Sequence, residues 1–410
     1  MSGLDPQALD ASDPLARFRE RFALPEGKLY LDGNSLGARP KAVEARMLET
    51  LRTEWGEGLI TSWLGADWVN APQRIGDKIA RLIGAGEGEV IACDSTSINI
   101  FKALCAALSR NPQRSVILSE KGNFPTDVYI MQGIEALTGR RVSACLVEPE
   151  EIEEAIGDDI AAVLLTQVHY KSGQIRDMAR TTAIAHERGA LIVWDLSHSA
   201  GAIPVDLGGA GADFALGCGY KFLNGGPGAP AYLYVAKRHQ AAAMPALAGW
   251  FGHASPFDFD DAYRPAEGIT RFLVGTPQVL GLTALEVGID LFLEADMAEV
   301  RAKSVSLGQL FGQLMEPLCA RYGFELAGPA EPEARGSQIS YRHEQGYGIM
   351  QALKARGIIG DFRAPEVLRF GLTPLYLSHA DIVGAVAGLE AVMAGREWDR
   401  AEYADRASVT

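Results

Sequence analysis

An acid and an amine at neighbouring strand ends are the most chemically pointed feature of this 410-residue chain. In ALIVWDLSHSAGAIPVDLGGAGADFALGCGYK (190–221) one hydrophobic run ends at Trp194 and delivers Asp195. A second run, 213–216, leads through Gly217 and Gly219 to Tyr220 and Lys221. Ligands of open α/β sheets bind outside the carboxyl ends of the strands, so both side chains are expected on one rim. A lysine amine there can form a Schiff base with the aldehyde of pyridoxal phosphate. A carboxylate beside it can keep a pyridine nitrogen protonated. An ordinary salt bridge at the sheet edge accounts for the same two residues.

Two further segments add to that chemistry. CDSTSINIFKAL (93–104) sets small hydroxyl residues, Thr96 and Ser97 among them, directly before a helical run. The free N–H groups and positive dipole end of such a helix start can hold a phosphate, although a plain helix cap reads the same way. NFPTD (123–127) follows the run 115–118, and Phe124 could lie flat against a planar ring; a turn with a buried Phe is the simpler alternative. Phosphate cradle, stacking ring, carboxylate and lysine then occur in the order a pyridoxal phosphate fold needs. FLNGGPG (222–228) lets the backbone bend sharply just beyond the lysine.

The elements that must position these residues read as follows. Strand-like runs fall at 115–118, 141–146, 161–166, 190–194, 213–216 and 231–235, with helical stretches such as 179–188 between them. Several are continuously hydrophobic, as strands buried on both faces of a mostly parallel sheet must be. The fold class is therefore α/β, with a large domain whose sheet is flanked by helices. KLYLDGNSLG (28–37) reads as a short strand into a glycine-rich turn, and 39–55 as one amphipathic helix. Beyond about 280 come one or two long helices (283–325), strands at 338–341 and 367–372, and a helix at 379–393. The expected division is an N-terminal arm (1–28), a large domain (29–280) and a smaller α+β domain (281–410).

Composition narrows the class. Apolar residues are 48% and charged residues 22%, ordinary globular usage. The net charge of −14 disfavours nucleic acid and anionic membrane surfaces as partners. No apolar run approaches the length of a membrane helix, and the polar, acidic N-terminus is unlike a signal peptide. The 5 cysteines form no CxxC pair. A reducing compartment, the cytoplasm, is expected. The 7 histidines show neither HxxxH nor HExxH spacing, so no metal site is expected.

Taken together, YLDGNSLG (30–37), DSTSIN (94–99), NFPTD (123–127), DLSHSAG (195–201), GCGYKFLNGGPG (217–228) and LRFGLTPLY (368–376) resemble the kynureninase family. Its members are fold-type I pyridoxal phosphate enzymes close to the class V aminotransferases. The resemblance runs from about Phe18 to Met393. It implies that Lys221 carries the cofactor and that Asp195 pairs with the pyridine nitrogen. It implies that Phe124 stacks on the ring, that Thr96 and Ser97 contact the phosphate, and that Pro125, Thr126, Asp127, Thr166 and His198 surround the ring. Tyr220 would reach the phosphate and donate a proton. Trp250 and Thr276 would complete the phosphate site from the partner subunit of a homodimer. Arg369 would clamp the α-carboxylate of a small amino-acid substrate, and Asn34 and Ser35 would touch substrate. The implied reaction is hydrolysis of L-kynurenine, or its 3-hydroxy form, to anthranilate (or 3-hydroxyanthranilate) and L-alanine, in tryptophan breakdown or NAD synthesis.

Three other readings compete, the third a non-catalytic regulator on a pyridoxal phosphate fold, which the net charge of −14 and the lack of any DNA-binding motif disfavour. Gly33–Gly37 matches the GxSxG of a serine hydrolase elbow, and Asp195 and His198 follow in triad order. Against it, those two lie only three residues apart, no HGGG-type oxyanion loop precedes Ser35, and Lys221 is left unused. A cysteine desulfurase would need a mobile reactive thiol. Cys319 falls within the helical stretch 317–322, and Cys218 on the glycine turn, where packing is the simpler role.

Overall fold

The computed structural model describes residues 4–403. Seven strands form the larger sheet: β1 (Val90–Ala92), β2 (Val116–Glu120), β3 (Ser143–Val147), β4 (Ile160–Thr166), β5 (Leu191–Asp195), β6 (Phe214–Gly217) and β7 (Tyr232–Val235). Their order is β1-β7-β6-β5-β4-β2-β3. The pairs from β3 through β6 are parallel, and β7 is antiparallel to both β6 and β1. All seven residues of β4 are buried, because helices cover both faces of a sheet built by crossover connections. Successive side chains go to opposite faces. Leu164, Val193 and Phe214 meet α1 (Thr96–Arg110) and α2 (Pro125–Leu137), while Val163, Leu165, Trp194 and Ala215 join the core on the other side. β1 was not anticipated from the sequence, since three apolar residues at a sheet edge carry little periodicity.

The second sheet has four antiparallel strands: β8 (Glu325–Leu326), β9 (Gln338–Arg342), β10 (Asp361–Arg363) and β11 (Val367–Gly371), in the order β10-β11-β9-β8. Helices α4 (Met297–Tyr322) and α5 (His379–Ala394) accompany it, whereas α3 (Val279–Leu293) packs on the helices Ala42–Glu49 and Ala71–Leu82 beside the larger sheet. Ile339 and Phe370 of this sheet belong to the same hydrophobic core as Leu165 and Trp194 of the larger one. Leu29–Tyr30 pairs in parallel with Ile358–Ile359, which brings the turn at 32–37 over both sheets.

One segment differs from expectation. Residues 39–55 are not one regular helix: Ala42–Glu49 is α-helical and Thr50–Trp55 is a π-helical turn. The N-terminal arm holds two short helices, Pro6–Ala11, capped by Asp5, and Ala16–Arg21, beside which Leu15, Phe18 and Phe22 are buried. Among the described residues no helix is long and apolar enough to cross a membrane.

Candidate active site

Neighbouring strands of the larger sheet bring polar groups to one rim. Asp195 is the last residue of β5, and its register partner is Thr166, the last residue of β4. β6 runs into the Gly217–Gly219 turn and then Lys221. A Cβ on Gly219 would sit 2.3 Å from the Pro230 carbonyl oxygen, so only glycine lets that turn close. The Gly37 amide donates to the Tyr220 carbonyl at 2.8 Å, which seats the 33–37 turn against the lysine segment.

Lys221 is 9% exposed, and its Nζ lies 3.0 Å from His198 Nε2. The same Nζ is 5.6 Å from the Phe124 ring centroid and 5.9 Å from that of Tyr220. Phe124 stands edge-on to Tyr170 at 5.2 Å. Asp195 accepts a 2.7 Å bond from the Ser197 amide. Burial raises the Asp195 carboxyl, while the Ser197 donor and the Lys221 charge pull the other way. Asp127 is fully buried in the first turn of α2. Burial pushes it well above the usual carboxylate range, and the neighbouring Asp195 charge adds to this. Burial, followed by the charges of Lys221 and Arg369, holds His198 well below the usual imidazole value. The phenol of Tyr220 is held protonated, first by burial and then by Cys218 and Asp195.

Ser95 caps α1, its hydroxyl accepting from the Ile98 amide at 3.5 Å. The preceding Asp94 has a φ of 53° and is held by the buried Lys102, whose Nζ lies 2.7 Å from its carboxylate. Lys102 also donates to the Phe272 carbonyl. Thr96 and Ser97 line a cavity of about 630 Å³ together with Ser35, Tyr220 and Gln278. An anion there would meet free helix-terminal N–H groups and the positive dipole end.

Arg369, on β11, is 1% exposed. Its Nε donates to Asp361 Oδ1 at 2.8 Å, a second nitrogen pairs with Oδ2, and Nη2 donates to Ser35 Oγ at 2.9 Å. Asp361 also pairs with Arg363 at 2.8 Å. Burial and the charge of Asp361 push nearby Asp32 up to about 7.

The structure thus gathers Lys221, His198, Asp195, Thr166, Asp127, Phe124 and Tyr220 at one rim. Thr96 and Ser97 share a cavity with Tyr220, and Ser35 joins that cavity to Arg369. Three expected residues stand apart. Asn34 does not reach the cavity: it is fully buried, its Oδ1 so close to Gly371 that a Cβ there would lie 2.2 Å away. Trp250 is 42% exposed and packs edge-on to Phe251 and Phe257. Thr276 lies in an exposed bend before α3. No serine-hydrolase triad is assembled, because Ser35 Oγ bonds Asp361 at 2.6 Å and His198 faces Lys221 instead. Cys319, within α4, lines a surface cavity with Phe324 and Tyr341, and Cys218 is buried. The sequence reading missed Gln338, Tyr170, Asp361 and Lys102. The first three come from segments with no catalytic spacing, and a mid-helix lysine carries no signal of being fully buried.

The residues present fit pyridoxal phosphate. Both carboxylate oxygens of Asp127 and the hydroxyl of Thr166 are buried without a hydrogen-bond partner in the described structure. Buried polar atoms are rarely left so. A planar ring with a polar edge would satisfy them, with its phosphate at the start of α1.

A profile of the kynureninase C-terminal domain matches residues 300–389, and one of the DegT/DnrJ/EryC1/StrS aminotransferase family matches residues 67–215. The chain is 54% identical over 391 residues to a kynureninase of Deinococcus radiodurans, covering 94% of this chain and 95% of that protein. It is 48% identical over 411 residues to a kynureninase of Pseudomonas fluorescens, covering 99% of each. Among solved structures, a cysteine desulfurase from Escherichia coli superposes with a TM-score of 0.76 at 20% identity, covering 93% of this chain and 98% of that one. A cystine C–S lyase bound to its product, cysteine persulfide, superposes with a TM-score of 0.76 at 17% identity, covering 89% and 97%. At such identities these likenesses speak for the fold alone.

Proposed function

The chain belongs to the kynureninase family and is a pyridoxal phosphate enzyme, and from that premise we propose that it hydrolyses L-kynurenine, or its 3-hydroxy form, to the corresponding anthranilate and L-alanine. The observation that carries the site assignment is the buried Lys221 amine beside Asp195 and 3.0 Å from His198, at the carboxyl edge of the sheet. Bound there, the cofactor supplies an electron sink for the charge released at the substrate carbon.

The rest is the work of this chain's own residues. Lys221 would hold the cofactor, and its amine would move the proton at the substrate α-carbon. Asp195 would face the pyridine nitrogen with its carboxylate. The start of α1, with Thr96 and Ser97, holds the phosphate. Phe124, Pro125 and Thr126 would pack against the bound cofactor, and Asp127, Thr166 and His198 would supply the polar groups around it. Arg369 presents a guanidinium fork, which matches a carboxylate bidentately. Asp361 already orients that fork. Water adds to the side-chain ketone, the Cβ–Cγ bond breaks, and Tyr220 supplies the proton to the β-carbon. That phenol is in its protonated form, first because of burial.

We assign Trp250 and Thr276 to the phosphate site of a partner subunit in a homodimer. Supporting this, Leu59, Ile60 and Leu64 are 61%, 75% and 82% exposed, and Phe257 and Phe259 beside Trp250 are 68% and 83% exposed. Exposed apolar surface on that scale marks an interface. With five free cysteines, a reducing cytoplasm is the proposed compartment. The test is anthranilate fluorescence on adding L-kynurenine to the purified protein, with borohydride fixing the cofactor to Lys221. A protein that releases persulfide sulfur from cysteine and no anthranilate from kynurenine would refute the assignment.

A further inference from the structure

We infer that Gln338 is a positioning residue that locks His198 in the Nδ1–H tautomer, so that the imidazole always presents an acceptor, Nε2, to the Lys221 amine. The inference rests on the proposed role of Lys221. Gln338 opens β9 in the smaller sheet and is 1% exposed. Its Nε2 donates to the Tyr170 carbonyl at 3.0 Å, and its Oε1 lies 3.1 Å from His198 Nδ1.

The amide orientation follows from its partners. A carbonyl cannot donate, so the group facing Tyr170 must be the NH₂ and the group facing His198 must be the oxygen. Turning the amide over would press two oxygens together at Tyr170, inside the protein, where unpaired polar atoms are costly. An oxygen beside Nδ1 requires a proton on Nδ1. A neutral imidazole then has a bare Nε2, 3.0 Å from Lys221 Nζ. The opposite tautomer would oppose Nδ1 to Oε1 as two acceptors and Nε2–H to an ammonium as two donors. Burial and the charges of Lys221 and Arg369 keep the ring neutral.

The same carbonyl ties the device to the substrate side. Tyr170 O also accepts from Arg369 Nη1 at 2.6 Å. Gln338 and Arg369 lie on adjacent antiparallel strands, since Gln338 is in register with Gly371 and Ser340 with Arg369. The smaller sheet therefore holds the carboxylate clamp and the histidine tautomer through one backbone oxygen. When Lys221 carries the proton taken from substrate, the ammonium has a fixed acceptor waiting in His198. Acting through another residue in this way sets tautomer and basicity, as outer partners of ligating histidines do.

Two measurements test it. Nitrogen NMR of the ¹⁵N-histidine-labelled holoenzyme, with His198 assigned by its loss in His198→Gln, should show a protonated, pyrrole-type Nδ1. A pyrrole-type Nε2 would overturn the inference and needs no variant of Gln338 to fold. Gln338→Glu replaces the neutral acceptor by an anion, which favours imidazolium. The acid limb of kcat should then move to higher pH by about one unit. Gln338→Leu should lower kcat about tenfold with little change in KM, because the ring loses its fixed tautomer. A purely structural Gln338 would lower the melting temperature and leave the acid limb where it was, and that result also refutes the inference. Borohydride trapping at Lys221 in each protein separates this failure from failure of the site assignment: an untrapped wild type sinks the assignment, a trapped wild type with Nε2–H sinks only the tautomer lock.

Discussion

Lys221 and Arg369 occupy different environments, and the expected consequences of changing them differ accordingly. Lys221 borders the ring of Phe124 and the imidazole of His198, so Lys221→Ala should abolish the trapped cofactor peptide and lower kcat by about 10³-fold, within the range of a lost general base. Absorption spectra and peptide mass spectrometry after borohydride check this. Arg369 is buried and bonded to Asp361, Ser35 and the Tyr170 carbonyl. Arg369→Lys keeps the charge but loses the fork, so kcat/KM should fall about 10- to 100-fold, chiefly through KM. A kcat loss with unchanged KM would place Arg369 away from the substrate carboxylate. Lys221 and Asp195 were legible in the sequence because strand-end chemistry leaves a local trace. Gln338 and Asp361 were not, since a polar residue on a short antiparallel strand looks the same whether it faces water or a histidine.

At the scale of the element, two devices hold the rim in place. Ser95 caps α1, and Ser95→Ala should cost about 1 kcal/mol of stability and weaken cofactor binding, measured by thermal melts and cofactor titration. Asp213, at the foot of β6, is 1% exposed and accepts from the Ile192 amide, His186, His239 and Arg238. Burial alone would raise its pKa, but the bonds from His186, His239 and the Ile192 amide outweigh burial and leave the carboxyl far below its usual value. A depressed acid stabilises the fold above its unfolded pKa of about 3.9 and loses that contribution as the pH falls toward the folded value. Stability should therefore drop steeply below about pH 4. Asp213→Asn should be less stable at pH 7 by about 2–4 kcal/mol and show a shallower acid slope. Denaturant titrations at pH 7 and pH 3.5 compare the two, and equal slopes would remove Asp213 from the account. The parallel strands were read to within a residue or two, because double-sided burial forces continuous apolar runs. The break at Thr50 and the short strand at 90–92 were not, as both depend on packing partners far along the chain.

For the whole molecule, the exposed apolar belt decides the expectation. Ile60→Asp with Leu64→Asp places two charges on side chains that are 75% and 82% exposed in the single chain. In a lone chain, changes at such positions shift stability by no more than about 0.5 kcal/mol. In a dimer they should split the assembly and weaken cofactor retention, because Trp250 and Thr276 are proposed to act across the interface. Analytical ultracentrifugation reads the mass. An unaltered sedimentation profile that already corresponds to one chain would rule out the shared site.

Local order alone told that Asp195 and Lys221 end neighbouring strands of a two-sided sheet, that a helix begins at a run of hydroxyls, and which family the motifs resemble. These are short-range statements, written in hydrophobic runs, caps and glycine turns. The placement of Gln338 and Arg369 against His198 and Tyr170 is different in kind. It joins segments more than a hundred residues apart, through a shared core and the register of two antiparallel strands. Which buried polar atoms meet across such a distance is set by how the layers pack, and no nearest-neighbour pattern in the chain encodes it.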